Sequence, residues 1–243
     1  MNIVDFIILA ILGYGLLSGM YKGMITSGLS LVGFAAAWFG ASALYERIAN
    51  FALSNTTLMA VLNQYLEPDT FFTNHTQAMT TVSEVIAGRE AALQEAVNAV
   101  SAKFGFIAEA FSNNVRQEAF ASLGITTLSD YLNQTLWVAV FNVVAFLLAF
   151  ILLYVVISLV VNLLDRVISF PLLRGFDWLV GGVFGLLRSS VVVVLVLSVL
   201  PVLTSLISPD LTQQLQTGSA LYTFASQFDL LGAVGMLQNL VMG

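Results

Sequence analysis

The longest apolar run in the chain, residues 136–161, contains no charge, no Pro and no Gly, and only Asn142 and Ser158 interrupt it. As a helix rising about 1.5 Å per residue it extends roughly 39 Å, more than the roughly 30 Å hydrocarbon core of a bilayer. It also lacks the polar stripe of a helix on a soluble core, so the pattern predicts a transmembrane helix. Three further apolar runs predict spans at residues 3–20, 24–45 and 179–207. The first two are separated only by Tyr21-Lys22-Gly23, which predicts a helical hairpin. Gly15, Gly19, Gly23 and Ser27 recur every four residues. If the helix runs on through the break, they form one row of small residues, the pattern that lets two helix backbones approach closely.

Between the second and third spans, residues 46–134 form the one long polar region. Leu58, Val61, Leu62, Tyr65 and Leu66 predict a short amphipathic helix ending before Pro68. From Met79 the apolar positions 79, 82, 86, 93, 97, 100, 104, 107 and 111 keep a heptad-like rhythm, with Arg89 in the vacant place. That rhythm predicts one long helix packed on its neighbours. Gly124 predicts a helix end, and Thr127 or Ser129 a cap for the turn into the third span. After the third span, Asp165, Arg166, Pro171, Arg174 and Asp177 mark a short amphipathic connector, with Trp178 as an interfacial anchor. Pro201 is expected to end or kink the fourth span. Leu231, Val234, Leu237 and Val241 then predict an amphipathic tail lying on the membrane surface or on the helical region.

The reading is an all-α polytopic membrane protein with four transmembrane helices. Residues 1–45 make a transmembrane hairpin, 46–134 an inserted extracytoplasmic helical region, 135–207 spans three and four with a short cytoplasmic connector, and 208–243 the extracytoplasmic tail. Composition agrees: 58% of residues are hydrophobic and 9% charged, against about a quarter charged in globular chains. The opening Met1-Asn2-Ile3-Val4-Asp5 has no basic segment, so the first run reads as a retained span and not a cleaved signal. Lys22 in the first break, and Arg166, Arg174 and Arg188 around the connector, place those two loops in the cytoplasm by the positive-inside rule. Both termini and the 46–134 region, with nine acids and four bases, then lie outside.

There is no cysteine, which excludes disulfides, thiolate metal sites and cysteine catalysis, and the single His75 excludes a multi-histidine site. A net charge of −6 without a Lys/Arg run offers no footprint for nucleic acid. Three N-x-Thr matches, at Asn55, Asn74 and Asn133, are about what chance supplies. Arg188 is the sharpest functional candidate. If the fourth span begins at Leu179, Arg188 is nearly midway through it, where an unpaired charge costs at least about 2.5–3.5 kcal/mol and demands a partner or a watery path. If the span begins near Ser189, Arg188 is an ordinary anchor at the cytoplasmic edge. Asp5 can pair inside the bundle or reach to water, and Asn142 can hydrogen-bond between helices. No nucleophile with its base, no paired carboxylates and no metal-ligand spacing appear in the spans, so neither catalytic residues nor cofactors are expected.

Two stretches resemble the colicin V production (CvpA) family. Val4-Asp5-Phe6-Ile7-Ile8, followed by Gly19-Met-Tyr-Lys22-Gly23-Met and Ser30-Leu31, is similar to the family's opening. The stretch Phe176-Asp177-Trp-Leu-Val-Gly181-Gly182-Val-Phe-Gly185-Leu-Leu-Arg188 is similar to its second hallmark, Gly-Gly-x-x-Gly-x-x-Arg at the start of the last span. The resemblance covers about residues 1–50 and 135–205, and Lys22, Gly23, Gly181, Gly182, Gly185 and Arg188 are the matching positions. It implies a bacterial inner-membrane, multi-pass protein of four spans, associated with production of colicin V or other toxins and with no established catalytic activity. The large 46–134 region and the apolar tail depart from the compact family pattern.

Two function classes follow. In one, glycine seams assemble a non-enzymatic scaffold in the bilayer that binds an envelope or secretion partner and supports toxin or bacteriocin production or export. In the other, the chain forms a homo-oligomeric pore or transporter subunit for ions or small solutes, with Arg188, Asp5 or Asn142 lining the path.

Overall fold

The computed structural model describes residues 3–62, 72, 75–88, 90–167, 176–207 and 219. Among them every element is helical: α1 (Ile3–Leu53), α2 (Thr56–Leu62), α3 (His75–Ala78), α4 (Val82–Ile86), α5 (Glu90–Arg116), α6 (Leu128–Val167) and α7 (Asp177–Ile207), with a 3₁₀ turn at Ala121–Leu123. One isolated antiparallel bridge, Thr81 to Thr127, is the only β pairing among the described residues. Three helices are long and apolar enough to cross a membrane: Val4–Leu53, Leu128–Leu163 and Asp177–Leu197. The chain divides into two compact units. The first holds the described parts of residues 3–45 and 146–200 with Ser219, and the second the described parts of residues 46–145 with 201–207.

In the first unit α1 is two arms, residues 3–22 and 24–53, joined at Gly23, whose φ of 78° and ψ of 175° are non-helical. That backbone region is open essentially to glycine alone. The arms fold back on one another. Ser27 Oγ donates to Gly19 O across the bend at 3.1 Å, a contact that a straight helix keeps apart. Before the bend, Gly15 meets Ser189 of α7; after it, Phe34 meets Tyr154 of α6, which bonds Arg188. Both arms therefore run alongside α7 from the same end. Ser27 does not extend the glycine row, as an unbroken helix would have it. It turns inward and satisfies a carbonyl freed by the bend.

The second arm packs antiparallel on α6 through aromatic rings. Phe146, Phe150 and Tyr154 stack one turn apart on α6, with interplanar angles of 9°. Phe34 stands edge-on to Phe150 at 5.1 Å, and Trp38 edge-on to Phe146 at 5.1 Å. Each such pair adds about 0.5–1.5 kcal/mol beyond burial. Near the chain start, Val4 and Ile8 pack on Val193 and Leu197 of α7.

The second unit differs from its sequence pattern in one main respect. The long helix expected from Met79 is two helices, α4 and α5, separated at Gly88, where φ is 129°. Met79 and Ile86 of the expected seam are exposed, while Val82 and Val85 are buried. Within α5 the rhythm holds, with Leu93, Val100, Ile107 and Phe111 buried. A short-range signal outweighed the heptad spacing: Thr81 caps α4 by accepting from the Glu84 N–H, and the adjoining strand-like residues bond across to the start of α6. Thr127, one of the two expected caps, accepts from the Asp130 N–H at 3.2 Å, and its hydroxyl meets the Asp130 carboxylate at 2.7 Å. Asn114 bonds Thr135 in the buried interior at 3.0 Å.

Several boundaries move outward from the apolar runs. The second arm continues to Leu53 past Glu46 and Arg47, and α6 begins at Leu128. The helix of the last apolar run, α7, begins at Asp177, and Pro201 does not end it, since α7 continues to Ile207. Membrane-type helices tolerate proline where neighbours relieve the freed carbonyl. Tyr65, Leu66 and Pro68, Pro171 and Arg174, and the apolar tail positions 231–241 lie outside the described residues.

Candidate functional site

Five of the glycines read from the sequence, Gly15, Gly19, Gly23, Gly181 and Gly185, converge on one antiparallel seam between the first arm of α1 and α7. Gly15, Gly19 and Gly23 face Ser189, Gly185, Gly181 and Asp177 in descending order. A Cβ at Gly19 would land on the Gly181 carbonyl oxygen and lie 2.9 Å from Gly185 Cα. One at Gly181 would lie 2.7 Å from the Gly23 carbonyl carbon, and one at Gly185 would land on the Gly15 carbonyl oxygen. Backbone therefore rests on backbone over two turns, and both rows must be free of side chains at once. Gly182 belongs to the flank, facing the Met20 and Leu16 side chains, and Gly13 faces open space. Lys22 is exposed at the bend.

At the end of the seam the Asp177 carboxylate closes the bend. Its Oδ1 accepts the Met24 backbone N–H at 2.8 Å. Met24 is the first residue after Gly23, so this bond caps the second arm from 153 residues away. The same carboxylate lies in the first turn of α7. It thus offsets the positive ends of two helices. A Cβ at Gly23 would strike it.

The polar candidates are placed separately. Asp5 is fully buried and accepts from Ser219 Oγ at 2.6 Å, and Ser219 is 1% exposed. Its neighbours Val4 and Ile8 pack at Val193 and Leu197, so Asp5 lies more than a turn along α7 from Arg188 and the two do not share a site. Arg188 is half-buried, eleven residues inside α7, and its Nη1 donates to Tyr154 Oη at 3.3 Å. Asn142 is buried within α6 in the second unit. Among the described residues no group of three His, Cys, Asp or Glu side chains could hold a metal ion.

Sequence reasoning placed Asp177 in a connector and assigned no role to Ser189, Tyr154 or Ser219. A signal for Asp177 was present, because an acid immediately before an apolar helix is a first-turn residue. Its role in a bend 153 residues away had none.

The family model described as colicin V production protein matches residues 4–86 and 99–229. The match reaches beyond the two stretches that carry the resemblance and takes in most of the 46–134 region, so that region is less of a departure from the family than its length implies. Comparison with curated proteins and with solved structures returned no match. Matched along most of its length and built around helices apolar enough to cross a bilayer, this membrane protein belongs to the colicin V production protein family.

Proposed function

We propose that the chain is a non-enzymatic, multi-pass scaffold of the bacterial inner membrane that supports toxin or bacteriocin production or export, and envelope function, by assembling with membrane partners. The observation that carries this reading is the seam of interlocked backbones between the first arm of α1 and α7. Packing of that kind makes a close, rigid frame between two helices, whereas a solute path needs separation and polar lining. Asp177 and Asp5 support it, since both are engaged inside the frame, on Met24 and Ser219.

The frame carries four spans in this reading. Residues 3–22 and 24–45 each extend about 30 Å as helices, enough to cross, and they fold back at Gly23. Lys22 and the Arg166–Arg174 connector were assigned to the cytoplasm independently, and the bend and the start of α7 lie against each other, as one side of a membrane requires. With no native cysteine, a single Cys in place of the exposed Ser83 tests the orientation. Impermeant maleimide should label it in intact cells, and labelling only after lysis would reverse the topology.

The function is tested by deleting the gene from its host and measuring secreted against cell-associated toxin, with the wild-type copy restored as control. Reduced secretion is expected, and unchanged secretion would refute the role. The half-buried Arg188 inside α7 favours a second reading, an oligomeric pore or transporter subunit. Flux of ions or small solutes through purified protein in liposomes, altered by Arg188→Ala, would establish that reading, and no flux above empty liposomes would favour the scaffold.

A further inference from the structure

We propose that Arg188 is a docking point inside the membrane for a partner protein's transmembrane helix that carries a carboxylate near its middle. The inference rests on the scaffold reading and supplies the chemistry of its partner. Depth comes first. Tyr21, Lys22, Phe176 and Trp178 are all exposed at the end where the Gly23 bend meets the start of α7, and aromatic and Lys side chains at one level mark a membrane–water interface. Arg188 lies eleven residues along α7 from Asp177, about 16 Å from that level and near the middle of a roughly 30 Å core.

The guanidinium has five N–H donors and no acceptor. Among the described residues its one hydrogen bond goes to a neutral hydroxyl, Tyr154 Oη, at a long 3.3 Å, and no described carboxylate is paired with it. A cation held at that depth calls for an anion. The pair is also reachable from outside: Arg188 and Tyr154 are half-buried, and Val191 and Ile151, one turn from each, are exposed apolar positions against which a helix can lie.

Among the described side chains of the unit that holds Arg188, the two acids are poor sources of the anion for a second copy of this chain. Asp5 is fully buried on Ser219, and Asp177 caps Met24 at the interface end. A lipid phosphate sits at the interface, about half a bilayer core away from Arg188. A carboxylate at the middle of another protein's span fits both depth and charge.

The test uses the full chain in neutral-lipid liposomes and a fluorescent synthetic helix of about 20 Leu and Ala residues, long enough to span, with one central Asp or, as control, a central Ala. The Asp helix should bind wild type about tenfold more tightly than the Ala helix. Arg188→Gln should abolish that preference, and Arg188→Lys, which keeps the charge, should retain part of it. Equal binding of the two helices, or a preference that survives Arg188→Gln, would overturn the proposal. So would loss of the preference when anionic lipid is added, which would make Arg188 a lipid site. Flux is recorded in the same liposomes. No flux and no Asp preference would remove the docking point and leave the scaffold standing, whereas flux would remove the scaffold itself.

Discussion

Replacing Gly23 by Ala should show how the bend is held. The substitution has two costs that can be separated. Gly23 sits at φ 78° and ψ 175°, and forcing a Cβ into that region costs about 1–3 kcal/mol, with 2 as the middle value. The new Cβ also strikes the Asp177 carboxylate and displaces it from the Met24 N–H. Loss of a capping bond costs about 0.5–2 kcal/mol, and because Asp177 is half-buried we take about 1.5. Gly23→Ala should therefore destabilise by about 3.5 kcal/mol and Asp177→Ala by about 1.5. The double variant should lose about 3.5, not the additive 5, since the cap can be lost only once. Reversible denaturant titration in lipid–detergent bicelles, followed by circular dichroism, measures all three. Additive losses would refute the coupling of Asp177 to the bend. A Gly23→Ala protein as stable as wild type would refute the strain.

Other outcomes follow from the same packing. Gly13→Ala, at a position facing open space, should be neutral or gain up to about 1 kcal/mol from helix propensity, whereas Gly19→Leu should prevent the seam from forming and leave no cooperative transition. Equal tolerance at the two sites would mean the glycine rows are not in contact. Ser219→Ala removes a donor to a fully buried carboxyl group and should cost about 1–3 kcal/mol in the same titration, while an unchanged midpoint would show that Asp5 does not depend on Ser219. Phe150→Ala opens the centre of the ring stack and should cost about 3–5 kcal/mol, and a loss under 1 would mean that Phe34 and Trp38 do not rest on it.

Much of the architecture is local and was legible in the residue order. The 136–161 run predicts a membrane helix because a bilayer sets a length and excludes charge, and α6 contains it. The Tyr21-Lys22-Gly23 break predicts a hairpin, and Gly23 is where α1 bends. The spacing of four between glycines places them on one helix face, because the helical repeat is fixed by the backbone. Even the limits were physical: in the polar region Gly88 and the Thr81 cap decided where helices begin, and the heptad rhythm did not register them.

Tertiary structure alone decided what those faces meet. Spacing cannot say that Gly15 and Gly19 lie on Gly185 and Gly181, because two small-residue rows in one chain can each seek lipid, a second copy or one another. Nor can it say that Ser27 leaves the row to reach the Gly19 carbonyl, or that Asp177 caps Met24. Those outcomes depend on a backbone that reverses at Gly23, and the bonds bridging the reversal join residues that are neighbours only once it has formed. The order of residues determined a membrane protein of long helices with one hinge. The folded chain decided that the hinge is closed by a carboxylate 153 residues away, because a part-buried N–H at a helix start must find its acceptor wherever the fold presents one.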